Sequence, residues 1–387
     1  MKMKLFAGVC LILITLAGCG GSGGDTAAGT PPATTIVQGT LSKGIIRDGT
    51  VRIYALNADG SKGTLLKETS TDTNGRYVAD ISPYTGPVLM EGFGTFTDEA
   101  TGTSMTIPSD MPLRAAYPNV SGSMRIAVTA ITELAVRHAL TLTRENITAA
   151  NRTVSDIFAF DIIETQPVEP VAAALRDTTT TQSQRDYTIA LATVSQMGNG
   201  APVANTLTAL ASDIAENNGL SQAAAASFQN ALNTFLTTNP NNQTGVAADA
   251  TNLAAVGCKK AVIRLGSSGA SASEIAGAQL TLSVPVGATV VADRSNGEVL
   301  DGALTLSGVV PAGALIKGKY TPEQGTVKLA LISTTPFGTG DFAILTIYVP
   351  TGTAITADGV AISGVKFVNL SAEPLSGISV TKAVTVQ

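Results

Sequence analysis

The chain has 387 residues, a net charge of −5 and only 14% charged side chains, so it lacks the basic face that nucleic acid requires. Tryptophan is absent and aromatic residues make up 4%, which removes the commonest stacking platforms for sugars and bases. A hydrophobic share of 44% is enough to fold, and at about 150 residues per domain the length suggests two or three domains.

Lys2 and Lys4 precede an apolar run over residues 5–16 that is too short to span a bilayer but has the regions of a secretory signal. Leu16-Ala17-Gly18-Cys19 closes that run as a lipobox. The segment is similar to bacterial lipoprotein signals, which implies loss of residues 1–18 and acylation of Cys19, making the membrane the first expected partner through the lipid. Gly20 stands where an aspartate usually marks inner-membrane retention in Gram-negative lipoproteins, so the outer membrane is the expected address, facing the periplasm or the cell surface. Residues 19–35 are rich in Gly, Ser, Ala, Thr and Pro and read as a flexible tether. Cys10 leaves with the signal, so Cys258 is the lone thiol of the remaining chain; a small buried hydrophobe near a domain junction is favoured there over an intermolecular disulfide.

Residues 36–122 form the first expected domain. Val51, Ile53 and Ala55 alternate with Arg52, Tyr54 and Leu56, and Tyr77, Ala79 and Ile81 alternate with Val78 and Asp80, a strand period of two. Asn57-Ala58-Asp59-Gly60 and Asp72-Thr73-Asn74-Gly75 supply turn residues between them. The early V-x-G at Val37-Gln38-Gly39 and the later T-D-x-x-G-x-Y ending at Tyr77 resemble the transthyretin-like or carboxypeptidase-regulatory sandwich family. That resemblance implies a spacer or interaction module without catalytic residues. Asp72, Asn74 and Gly75 are better read as a turn than as part of a calcium loop, since the closing Glu of such a loop is missing.

Over residues 123–257 the period becomes helical. Ile131, Leu134, Ala135, His138 and Leu142 form one stripe; Tyr187, Ala190, Leu191, Val194 and Met197 another, closed by Gly198. Val203, Leu207, Leu210, Ala211 and Ile214 form a third, and Ala225, Phe228, Leu232 and Phe235 a fourth, with Ser221 as its N-cap and Leu220 and Ala225 as a staple. A helical bundle is expected, with exposed loops near residues 177–184 and 239–244. The region is similar to a helical module that follows transthyretin-like sandwiches in exported bacterial lipoproteins. His138, the one histidine, reads as a core residue of its stripe rather than a catalytic base or metal ligand. Glu133, Asp156, Asp161, Glu164 and Glu169 contain the carboxylates that glycoside hydrolysis needs, but scattered surface acids are the favoured reading.

Residues 258–387 return to a period of two, in Leu280, Leu282 and Val284, in Val327, Leu329 and Leu331, and in Ala343, Leu345, Ile347 and Val349. Pro-x-Gly turns separate these runs at Pro285, Pro311 and Pro350, as in an all-β sandwich. Gly338, Thr339, Gly340, Asp341, Leu345 and Val349 make this part resemble the cohesin domain and its relatives in the carbohydrate-binding sandwich superfamily. The resemblance implies a protein partner, dockerin-like or another envelope protein, on an exposed sheet face. Tyr320, Phe337, Phe342, Tyr348 and Phe367 are too scattered for a sugar-stacking strip, and Asp293, Asn296, Glu298 and Asp301 read as a turn rather than a calcium site.

The expected fold class is multidomain α+β, with two all-β sandwiches flanking an α-helical bundle. The favoured function is a lipid-anchored, non-enzymatic adhesion or scaffold protein with no catalytic, cofactor or metal residues and lipid on Cys19. The alternative is a polysaccharide-binding or polysaccharide-processing surface lipoprotein.

Overall fold

In the computed structural model the described residues are 34–269 and 274–387; the lipobox, Cys19 and residues 20–33 of the tether lie outside them. The chain begins with β1 (Thr35–Ser42), β2 (Thr50–Leu56), β3 (Lys62–Ser70), β4 (Arg76–Asp80), β5 (Val88–Thr97), β6 (Ser104–Ile107), β7 (Leu113–Tyr117), β8 (Gly122–Arg125) and β9 (Val128–Thr129). β4, β1 and β8 form one sheet, with β9 also on β1; β3, β2, β5 and β6 form the other, with β7 also on β5. Val37, Leu41, Val51, Ile53, Tyr77 and Met90 fill the space between the sheets. Asp72 behaves as a turn residue, its side chain accepting from the backbone N–H groups of Asn74 (2.8 Å) and Arg76 (2.9 Å).

The helices are α1 (Ala130–His138), α2 (Arg144–Phe158), α3 (Ala172–Leu175), α4 (Gln182–Gly198), α5 (Val203–Asn217) and α6 (Gln222–Thr237). Thr129 and Thr132 cap α1 reciprocally, Thr181 and Gln184 do the same for α4, and the Ser221 hydroxyl accepts from the Ala224 N–H at the start of α6. Each such cap is worth about 1 kcal/mol. Leu134, Tyr187, Leu191, Phe158 and Phe228 belong to the same apolar cluster as Val37 and Ile53, so the first sandwich and the helices share one core. The far face of the second sheet is covered as well: Leu56, Leu89 and Ala116 pack on Val136 and Ile147 of α1 and α2. That covering buries Leu56 while Ala55 stays half-exposed, opposite to the alternation expected for β2.

α1 is shorter than its stripe. Leu140 takes a left-handed φ of 56°, which ends the helix, places Leu142 beyond it and leaves His138 half-buried rather than in the core. The two expected loops are also less exposed than their polarity suggests. Thr180, Gln182 and Thr244 are buried, and Asn239 and Asn241 both donate to the Ala100 carbonyl at 2.9 Å.

The last part contains β10 (Lys259–Gly269), β11 (Ile275–Ser283), β12 (Leu304–Leu306), β13 (Leu315–Thr321), β14 (Thr326–Phe337), β15 (Asp341–Val349), β16 (Ile362–Val368), β17 (Pro374–Leu375) and β18 (Ile378–Val386). One sheet has the order β12-β15-β10-β18 and the other β13-β14-β11-β16-β17. Ile263, Leu280, Leu329, Phe342 and Leu345 form a separate core between them. The molecule is therefore mixed α+β, with β-sandwich regions before and after the helices.

A buried polar node joins α4 to this second core. The Asp186 carboxylate accepts from the Asn252 backbone N–H (3.0 Å), the Asn252 side-chain amide (2.8 Å) and Gln182 (3.0 Å). Asn252 in turn exchanges hydrogen bonds with the Ala292 backbone, as a neighbouring strand would, and accepts from Arg294 at 2.8 Å. A polar node of this kind fixes relative placement, because its geometry is satisfied in one arrangement only.

Candidate functional site

The outer face of the β13-β14-β11-β16 ladder is ordered in rows by its register. Leu315 lies opposite Ile332, which lies opposite Gly277 through β14 and β11, and Gly277 opposite Val368. The next row runs Lys317, Ala330, Gln279, Lys366; the third runs Lys319, Lys328, Thr281, Ser363. Their strand neighbours Leu331, Leu329 and Leu280 point inward and are buried, so period-two alternation puts the rows on the solvent side.

Two properties set this face apart. Leu315 and Ile332 are 63% and 62% exposed and adjacent, an apolar pair at one end. Beyond them stand four lysines; Glu298 pairs with Lys317, and Asp301 is near enough to that lysine to help raise its pKa. Lys319 and Lys328 sit directly across from each other, an arrangement that opposes strand pairing. Lys317, Lys319 and Lys328 frame a shallow depression of about 470 Å³ over Gln279 and Ala330. Such a surface can receive an acidic segment with an apolar residue at one end.

The five aromatic residues of this sandwich are all buried, Tyr320, Phe337, Phe342, Tyr348 and Phe367 alike, so none is presented to a sugar ring. The polar loop is a turn: Asp293 accepts from the Ser295 N–H and hydroxyl, and Asn296 from the Glu298 N–H, while Asp301 is exposed. Cys258 is free and half-buried, and burial pushes its thiol pKa up, away from reactivity.

The acids named from sequence do not converge. Asp156 pairs with Lys260 at 3.0 Å, Asp161 accepts from the Ile163 and Glu164 N–H groups in a turn, Glu164 is exposed, and Glu169 pairs with Arg47. Glu133 departs from the surface reading: it is 2% exposed and held by Arg114 and Arg137. Its i+4 partner Arg137 is visible in the sequence, but Arg114 lies on a strand, and nothing in local spacing links it to Glu133.

A second buried cluster was not legible either. Lys43 is fully buried, with its ammonium donating to Ser195 and to the Leu191 carbonyl (3.3 Å) and lying 3.5 Å from Glu99. Burial raises the Glu99 pKa, against the pull of Lys43 and Ser195. Ser, Lys and Glu could make a catalytic set, but Lys43 and Ser195 are closed inside the shared core, where they join the turn after β1 to α4.

No protein-family model and no curated protein matches the chain. Among solved structures it is similar to a type II cohesin–X-dockerin complex, an N-terminal interface mutant, from Acetivibrio cellulolyticus: 14% identity over 30% of this chain and 81% of that one, TM-score 0.22. The second type II cohesin module of the cellulosomal adaptor scaffoldin of the same organism gives 16% identity, 30% and 79% coverage, and TM-score 0.21. A type II cohesin, A11, from Bacteroides cellulosolvens gives 16%, 31% and 76%, and 0.20. The sandwich described here rests on this chain's own strand order and register.

Proposed function

We propose that the protein is a non-enzymatic scaffold of the cell envelope, anchored by lipid on Cys19 at the outer membrane, that docks an acidic protein partner on its last sandwich. The observation that carries the docking half is the lysine-framed sheet face with its exposed Leu315–Ile332 pair. Burial of every aromatic residue in that sandwich favours a protein over a polysaccharide, because sugar recognition draws on exposed rings. Enclosure of Lys43 and Ser195 and the full pairing of Glu133 favour structural roles for the groups that most resemble catalytic ones.

The anchor is tested by Cys19→Ala. The parent is expected in the membrane pellet and labelled by a fatty-acid probe, and the variant soluble and unlabelled; a variant that stays in the pellet with label contradicts lipid attachment through Cys19. The docking half is tested by a photo-cross-linking residue at position 330 in cells, where one discrete protein adduct is expected and its absence would count against the face.

A further inference from the structure

A cavity of about 710 Å³ opens between β6, β7 and the helices α1 and α5, within the size range of small-ligand sites. Its walls include Met105, Ile107, Leu113, Val203 and Leu207, with Met111 exposed at the rim. The polar end is Glu133, whose carboxylate accepts from Arg114 N–H (3.0 Å), Arg114 Nε (2.9 Å), Arg114 Nη2 (2.8 Å) and Arg137 Nε (2.7 Å). Arg137 Nη1 also donates to Thr208 at 2.9 Å. Two guanidinium groups thus share one carboxylate. The neighbouring Glu91 is held by Lys62 at 2.9 Å, and Asp110 lies out on the exposed rim. Arg114 Nη1 and Arg137 Nη2 have no protein partner among the described residues, and both side chains are about one-third exposed where they line the cavity. Glu133 fixes the two forks in place, so their remaining donors are already oriented.

We propose that this cavity binds an amphipathic monocarboxylate, its head on Arg114 and Arg137 and its apolar body along Met105, Ile107 and Leu207. A planar carboxylate matches the geometry of the free guanidinium donors, whereas a neutral apolar ligand leaves those donors unpaired. The site lies where the first sandwich meets α1 and α5 and is independent of the lysine face.

The test is calorimetric titration of the full-length protein with octanoate and with N-acetyl-Leu-Phe as its free acid, each against its neutral counterpart, octanol or the peptide amide. The two arms separate a free fatty acid from a peptide C-terminus as the source of the head group. Saturable binding of at least one acid is expected, weakened about tenfold or more in the neutral counterpart and by Arg137→Gln. The ligand comparison uses the unaltered protein, so it stands even where Arg137→Gln impairs folding. Failure of both acids to saturate, or equal affinity for acid and neutral counterpart, overturns the proposal.

Discussion

Asp186 shows how one buried residue can make the molecule sensitive to pH. Burial pushes its carboxyl up to about 6 from an ordinary 3.8, although Asn252 and Gln182 donate to it and Arg294 is near. The folded chain therefore keeps this proton across a window in which the unfolded chain has lost it. The stability this group contributes is complete below about pH 4 and is lost as pH rises to about 6, amounting to at most about 3 kcal/mol. Asp186→Asn has no proton to lose and places an amide against the donors of Asn252. Its melting temperature should lie further below the parent at about pH 4 than at about pH 7; a gap that is constant or widens with pH would contradict this linkage. Sequence showed Asp186 only as a polar residue beside the Tyr187 stripe. Its partners at Asn252 and Arg294 are distant in the chain, and nothing in local spacing links them.

At the scale of elements, two residues of the first resemblance have a common physical cause. A Cβ on Gly39 would lie 1.9 Å from the Ile126 carbonyl oxygen, and the Tyr77 hydroxyl donates to that same oxygen. The V-x-G glycine and the hairpin tyrosine thus close around one carbonyl where the pairing along β1 passes from β8 to β9. Gly39→Ala is expected to cost about 3 kcal/mol by denaturant unfolding, and a loss below about 0.5 kcal/mol would show that the close approach is dispensable. On β14, Lys328→Glu turns a like-charge pair with Lys319 into an attractive one, so a slightly higher melting temperature is expected, and a lower one would contradict the opposed-lysine reading. The strongly alternating strands and helices α5 and α6 were legible in sequence because each buries one face, and α4 because its apolar stripe is regular, although its residues 186–195 are buried all round. α2 was equally legible, since Ile147, Ala150, Val154 and Ile157 recur at helical spacing with Arg144, Glu145 and Arg152 off that stripe, and the expected helices omit it without a physical reason. The rows of the docking face were hidden for a different reason: they depend on the register among four strands, which alternation within each strand does not specify.

For the whole molecule, the division of the core matters more than the number of modules. Val37, Ile53, Leu134, Tyr187 and Phe228 belong to one cluster, so the first sandwich and the helices depend on each other for burial, while the last sandwich has its own core and meets them through the Asp186–Asn252–Arg294 node. This arrangement holds the lysine face on a sandwich whose placement is fixed against the rest of the chain. Proposed attachment at Cys19 lies at the opposite end of the sequence from that face. The lysine face is proposed to dock an acidic protein partner. The most direct measurement is the yield of the in-cell cross-link from position 330, compared between the parent and Lys328→Glu with folding checked by melting. A discrete adduct that is largely lost in Lys328→Glu, in a protein that melts no lower than the parent, is the predicted result. An adduct of undiminished yield in a folded Lys328→Glu protein would contradict the claim.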